Sequence, residues 1–259
     1  MKILFMGRKQ VSANLLRFLT KQDHIEIVGV LTDSHLQGSP TTAAAQELGL
    51  PLYTFDTALE AMREGRLKYD LGLSVLYWRK LRDEFLTIPS LGTINFHPAL
   101  LPEYKGTGGY NLAIMDELSE WGSTAHYVDA SIDTGEIIEV DRFSIDAETE
   151  TAQSLERKTM QALEDFARRI ITRAIESKTK LPTTPNIGGR YVSRDEMEAM
   201  KQICDGDDIE KKIRAFWFPP YDGAYVEIDG QKYTLINRQL LEEVAPKDST
   251  SLFAGKANA

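Results

Sequence analysis

One cysteine, Cys204, is all the chain has in 259 residues, which excludes an internal disulfide and any metal site built from several thiolates. Long apolar runs are missing as well. The opening "MKILFMGRKQ" is too short in apolar residues for a secretory leader, and no later run approaches a membrane span. A cytoplasmic protein with no membrane partner is expected. Positive charge is in short supply: 30 Lys and Arg stand against 39 Asp and Glu, a formal net charge of −9. That balance argues against a nucleic-acid partner held by general electrostatics, although a local basic cluster can still hold phosphates. The turn after the first strand has no GxGxxG, which argues against a dinucleotide there. What the chain does have is 42% hydrophobic residues, enough for a substantial core and one or two domains.

The apolar residues fall into alternating periodicities. "KILFMG" reads as a buried strand, and "VSANLLRFLTKQ" has helical spacing. "IEIVGVLTD" is a second buried strand. "TTAAAQELGL" is a helix ended by Gly49, "PLYTF" a short third strand, and residues 57–66 a further helix. "LGLSVLYW" and "GTINFH" complete the series. Strands alternating with helices predict an α/β fold, a Rossmann-like, mostly parallel sheet whose ligands lie beyond the strands' carboxyl ends. The pattern then changes to an antiparallel pair, "STAHYVD" and "EIIEVDRFSI", and a long helix striped by Leu155, Ala162, Leu163, Phe166 and Ile170. "KTKLPTTPNIGGR" reads as a linker. It divides a catalytic domain, residues 1–180, from a small C-terminal domain, residues 181–259. The smaller unit holds a short helix near "DDIEKKIRAF", an aromatic turn "FWFPPYDG", and a hairpin turning at Asp229-Gly230. The tail "APKDSTSLFAGKANA" reads as loosely attached.

One stretch asks for a chemical explanation: "GTINFHPALLPEYKGTGGYN", residues 92–111. Side chains alternate along a strand, so Asn95 and His97 share a face and Phe96 enters the opposite layer. Pro98 ends the strand where the two polar side chains have been delivered. An isolated Asn-x-His is equally a polar strand end that satisfies nearby backbone groups. The company it keeps decides: 36 residues beyond His97 stands Asp133, in "SIDTGEII".

Together, Asn-x-His-Pro-x-Leu-Leu-Pro and the downstream Asp-x-Gly resemble the folate-dependent formyltransferases, over residues 1 to about 176. That family includes glycinamide ribonucleotide transformylase, methionyl-tRNA formyltransferase and the sugar formyltransferases. The resemblance implies a catalytic triad of Asn95, His97 and Asp133, and 10-formyltetrahydrofolate as co-substrate. The chemistry gives each residue a reason. An amine attacking a formyl carbon passes through a tetrahedral intermediate bearing an oxyanion, to which Asn95 can donate. An imidazole titrates near neutrality, so His97 can take the amine proton and return it to the folate nitrogen. Asp133 can orient His97 and stabilise its charged form. His24, His35 and His126 read as surface or strand histidines. Tyr77, Trp78, Arg79, Lys80 and Leu81 occupy the place where the family binds the pterin, with the loop from Asp129 closing the pocket. A plain strand end with solvated cations is the alternative.

The acceptor amine separates the family's branches. Residues 181–259 hold 10 Lys and Arg against 13 Asp and Glu, which counts against tRNA. "IRAFWFPPYDGAY" resembles the second domain of the sugar and tRNA branches, which the purine enzyme lacks. A sugar nucleotide fits, with Arg8, Lys9 and Ser12 as candidate phosphate contacts at a helix amino terminus, unless the two cations are only solvated. Tyr104, Lys105 and Gly106 are candidate sugar contacts in a glycine-loosened loop. Trp217, Phe218 and Tyr221 read as a base platform, as the small domain's own core, or as a homodimer contact. The resemblance points most narrowly to GDP-perosamine and lipopolysaccharide O-antigen synthesis. Transfer to methionyl-tRNA and hydrolysis of formyltetrahydrofolate by the same triad stay open. No metal is expected, since one His and one Asp make too few ligands.

Overall fold

The computed structural model describes residues 1–32 and 38–244. His35 and the tail 245–259 lie outside the described residues. The chain opens with β1 (Lys2–Gly7), α1 (Gln10–Leu19), β2 (Glu26–Leu31), α2 (Pro40–Glu47), β3 (Leu52–Tyr53), α3 (Phe55–Arg63), β4 (Leu71–Val75), α4 (Asp83–Thr87) and β5 (Thr93–His97). The five strands pair in parallel in the order β3-β2-β1-β4-β5. β1 lies in mid-sheet and is buried on both faces, which is why it reads as one continuous apolar run. Ile3 and Phe5 enter one layer with Leu15 and Leu16 of α1. Leu4 and Met6 enter the other, with Leu59 of α3 and the stacked rings of Phe55 and Phe85, 5.2 Å apart.

After β6 (Tyr104–Gly106) and α5 (Gly109–Met115), the strands β7 (Glu120–Tyr127) and β8 (Ile137–Ser144) add to the sheet antiparallel, beyond β5. α6 (Ala152–Ser177) is opened by a capping box in which Thr151 accepts from the Ser154 N–H and Ser154 accepts from the Thr151 N–H. Its buried stripe runs through Leu155, Leu163, Phe166, Ile170 and Ala174. Phe166 meets Phe96 of β5 edge to face, with ring centroids 6.2 Å apart. The helix therefore backs the strand that carries Asn95 and His97.

The segment after α6 corrects the linker expectation. Leu181 is buried, and its N–H donates to the Tyr127 hydroxyl at 2.8 Å. Thr184 and Ile137 exchange backbone hydrogen bonds, and β9 (Arg190–Val192) pairs in parallel with β6. Composition registers only that the stretch lacks helix or strand periodicity; it is silent on which edges the backbone will bond. Beyond it, α7 (Arg194–Ala199), α8 (Ile209–Ala215), the hairpin β10 (Tyr225–Ile228) and β11 (Gln231–Thr234), and α9 (Arg238–Val244) build a small apolar cluster against Ile114 of α5. Asp229 and Gly230 both have positive φ, 53° and 76°, as a two-residue hairpin turn requires. Phe216 is buried in that cluster and Trp217 packs on it, while Tyr221 is exposed. Among the described residues no helix is long and apolar enough to cross a membrane.

Truncating Phe166 to Ala should cost about 3–5 kcal/mol, as removal of a buried aromatic does. Equilibrium urea denaturation checks this. A loss below about 1 kcal/mol would show that α6 does not share a core with β5.

Candidate active site

Strand pairing assembles the site. Asn95 stands in register with Ser74 of β4 on one side and His126 of β7 on the other. Directly opposed residues share a face of the sheet, so three polar side chains form a row. The Ser74 hydroxyl donates to Asn95 Oδ1 at 2.8 Å. His126 Nδ1 faces the Tyr127 carbonyl at 2.8 Å, and a carbonyl only accepts, so Nδ1 carries the proton. In the neutral ring, Nε2 is then the acceptor for Asn95 Nδ2, 3.0 Å away. Burial, and after it the charge of His97, push the His126 pKa down to about 4, which keeps the ring neutral. The amide of Asn95 is thereby held one way round, and its second N–H is the donor it can turn towards a ligand.

His97, two residues on, is 8% exposed. Its Nε2–H donates to the Tyr104 carbonyl at 3.0 Å. Nδ1 is left as the proton-accepting nitrogen, with Asp133 Oδ1 3.5 Å from it. Asp133 Oδ2 accepts from the Gly106 N–H at 3.0 Å. Gly106 has φ of 83°, and a Cβ there would lie 2.4 Å from the Val192 carbonyl, so no other residue fits without moving β9. Thr124, in register with His97, donates to Ala99 O and accepts from the Leu101 N–H, which fixes the chain leaving β5. The two imidazoles meet edge to face at 6.5 Å.

Ser74, Asn95, His97, Gly106, His126 and Asp133 border a pocket of about 280 Å³ at the carboxyl ends of β4 and β5. One wall is the 77–81 segment, where Trp78 is 47% exposed; the other is Gly106, Thr107 and Tyr191. Asp129 and Ile132 close it from the loop between β7 and β8. Asn95, His97 and Asp133 thus share one pocket with Tyr77, Trp78, Arg79, Lys80, Leu81 and Asp129. Their parts differ. Leu81 is buried in the apolar cluster with Phe55 and belongs as much to the core. Asp129 accepts from the Ser131 N–H and the Thr134 hydroxyl, which shapes its loop. The Arg79 guanidinium lies over the rings of Phe55 and Trp78, at 5.2 and 5.1 Å.

Other candidates fall elsewhere. Ser12 is fully buried and its hydroxyl donates to the Val75 carbonyl at 2.9 Å, so it joins α1 to the sheet and presents nothing to a phosphate. Lys9 is ion-paired with Glu156 of α6. Arg8 is partly buried, and its Nε has no hydrogen-bond partner among the described residues. Tyr104 packs on Trp121 and donates its hydroxyl to Asp116; burial first, and that carboxylate next, push its pKa up to about 12. Lys105 is buried and donates to the Gly188 carbonyl at 2.8 Å. Of Tyr104, Lys105 and Gly106 only Gly106 borders the pocket, and none of Trp217, Phe218 and Tyr221 does. His126 and Ser74 were missed because only the β4–β5–β7 register brings them to Asn95. Tyr191 was missed because it follows a stretch read as linker. Among the described residues no group of three or more His, Cys, Asp or Glu side chains could hold a metal ion.

The arrangement offers a donor for a developing oxyanion and a histidine able to carry one proton beside a carboxylate, which is the equipment of a group-transfer site. Comparisons narrow it. The family model for formyl transferase matches residues 1–172. A methionyl-tRNA formyltransferase of Lysinibacillus sphaericus is 30% identical over 245 residues, 88% of this chain and 75% of that protein. Among solved structures, a 4-N formyltransferase from Francisella tularensis superposes with a TM-score of 0.74 at 20% identity, over 90% of this chain and 96% of that one. An N-formyltransferase from Helicobacter canadensis, crystallised with folinic acid and dTDP-3-aminofucose, gives 0.71 at 24% identity, over 90% and 86%. The chain belongs to the formyl transferase family.

Burying His126 in its neutral form ties stability to pH. Between about pH 6.5 and 4 the unfolded chain binds a proton at this residue and the native chain does not, so acid favours unfolding. Stability from this group is complete above about pH 6.5 and is lost progressively as pH drops towards the lowered native value. His126→Gln should remove that part of the pH dependence in urea melts between pH 7.5 and 4.5. Parallel curves for the two proteins would contradict it.

Proposed function

We propose that this chain transfers a formyl group from 10-formyltetrahydrofolate to the amino group of a nucleotide-linked amino-dideoxy sugar. The observation that carries the reading is the meeting of Asn95, His97 and Asp133 in one pocket beside the 77–81 segment. At about 280 Å³ the pocket has room for a flat ring and the reacting amine. Exposed Trp78 and Ile132 give it the apolar surfaces such a ring needs. The folate supplies an activated formyl carbon. Asn95 donates to the formyl oxygen as negative charge gathers there. His97 Nδ1 accepts the proton that the amine loses as its new C–N bond forms, and returns it to the folate nitrogen as the old C–N bond breaks. Asp133 holds the imidazolium between those two moments.

The sugar reading is supported by the acidic balance of residues 181–259 and by the likeness to the Helicobacter canadensis enzyme. GDP-perosamine, in O-antigen synthesis, is the narrowest form of it and rests on resemblance alone. The 30% identity to the Lysinibacillus sphaericus protein favours a second reading, transfer to methionyl-tRNA. An assay with labelled 10-formyltetrahydrofolate separates them, using amino sugars on GDP, dTDP and UDP, methionyl-tRNA, and no acceptor. Label is expected on a sugar nucleotide. Label on tRNA alone, or formate released without any acceptor, would overturn the sugar reading. His97→Ala and Asn95→Ala should each lower turnover about 100-fold or more in a folded protein, and near-normal turnover in either would remove that residue from the chemistry.

Arg8 remains the candidate for the diphosphate, at the amino end of α1. Its loss should raise KM for the sugar nucleotide about 10-fold with kcat little changed, since a contact remote from the reacting amine persists equally in ground and transition states. Steady-state kinetics of Arg8→Ala, alongside titration with a folate analogue, checks this. Unchanged KM, or a loss of folate affinity instead, would move Arg8 away from the acceptor.

A further inference from the structure

The segment between α6 and α7 crosses the loop that carries Asp133, and it is anchored on both sides of the crossing. At one end Thr184 and Ile137 exchange backbone hydrogen bonds of 2.8 and 2.9 Å. At the other, β9 pairs with β6. Between these anchors the Asn186 side chain turns onto the loop. Its Nδ2 donates to the Asp133 carbonyl at 3.0 Å and to the Gly135 carbonyl at 2.9 Å. A primary amide nitrogen has two hydrogens, one for each carbonyl. The Asn186 oxygen is buried with no hydrogen-bond partner among the described residues. Desolvation therefore works against this side chain, and the two donated bonds are what hold it in place.

The loop it grips is not one the chain adopts readily. Asp133 has φ of 55°, the left-handed region that side chains other than glycine disfavour. Gly135 passes so close to Tyr127 that a Cβ would lie 1.8 Å from its carbonyl oxygen. We propose that Asn186, which does not border the pocket, is a positioning residue for Asp133. By bonding the main chain on both sides of Thr134 it fixes the carboxylate at its 3.5 Å distance from His97 Nδ1 and in reach of the Gly106 N–H. The proposal rests on the formyl-transfer reading for its effect on rate, and on geometry alone for its effect on the loop.

A double-mutant cycle with Asp133 tests it. Asn186→Ala should lower kcat about 10-fold, as loss of two ordinary hydrogen bonds allows, with KM for both substrates changed less than about 3-fold. In an Asp133→Asn background the same change should cost less than about 2-fold, because its effect passes through the missing carboxylate. Equal losses in both backgrounds would overturn the proposal. Asn186→Asp keeps the shape but presents an oxygen to the two carbonyls, so it should lose at least as much as the Ala variant. Should Asn186→Ala fail to fold, Asn186→Asp takes its place in the cycle. Hydrogen exchange of the Gly106 amide gives a readout free of any assay. It should speed up about 10-fold in Asn186→Ala while amides of β1 stay protected. Faster exchange in a protein that transfers no formyl group would leave the positioning role standing and remove the activity. Unchanged exchange together with unchanged kcat would remove the role itself.

Discussion

The hydrogen-bond register of β5, parallel to β4 and antiparallel to β7, is the constraint on which the chemistry depends. It sets Ser74, Asn95 and His126 in one row and faces His97 with Thr124. A slip of one residue would turn Asn95 and His97 into the layer occupied by Phe96. That layer is what prevents the slip. Phe96 is fully buried against Phe166 of α6, and on β4 Leu73 and Val75 flank Ser74 in the same core cluster. Packing on one face of the sheet thus secures the orientation of polar groups on the other.

Around that row, the molecule holds several groups in states they would not take alone. His126 is buried without charge, Asp133 sits at positive φ, and Gly106 admits no side chain beside β9. They gather at one pocket, as strained and desolvated groups do where a site must be rigid before its ligand arrives. Two backbone carbonyls do much of the organising. Tyr127 O fixes the tautomer of His126, and Tyr104 O that of His97. The two rings therefore present opposite nitrogens to their surroundings: His126 offers Nε2 as an acceptor to Asn95, and His97 offers Nδ1 to a proton and to Asp133.

Much of this was legible in the sequence, for stateable reasons. Continuous apolar runs alternating with helical spacing disclose a parallel sheet, and period-two alternation places Asn95 and His97 on one face. Asp133 came from a motif shared with a family, since 36 residues of spacing carry no geometry of their own. His126 could not be read, because its role exists only through strand pairing. The stretch 178–190 was misread for a related reason: its partners are edges of other strands, invisible to composition. Lys9 and Ser12, expected as phosphate contacts, have partners that composition does not disclose. Both had the right chemistry for a phosphate, but Glu156 and the Val75 carbonyl already hold them.

The row of polar groups is oriented by His126, which is protonated on Nδ1 alone and holds the Asn95 amide. Nitrogen-15 NMR of histidine-labelled protein at neutral pH tests it directly through long-range couplings from the ring carbons' protons to each nitrogen, with His126→Gln supplying the assignment. A neutral ring with hydrogen on Nδ1 and a bare Nε2 is expected. A ring carrying hydrogen on Nε2, or on both nitrogens, would contradict it, because Asn95 would then have to turn its oxygen to His126 and lose its donor there.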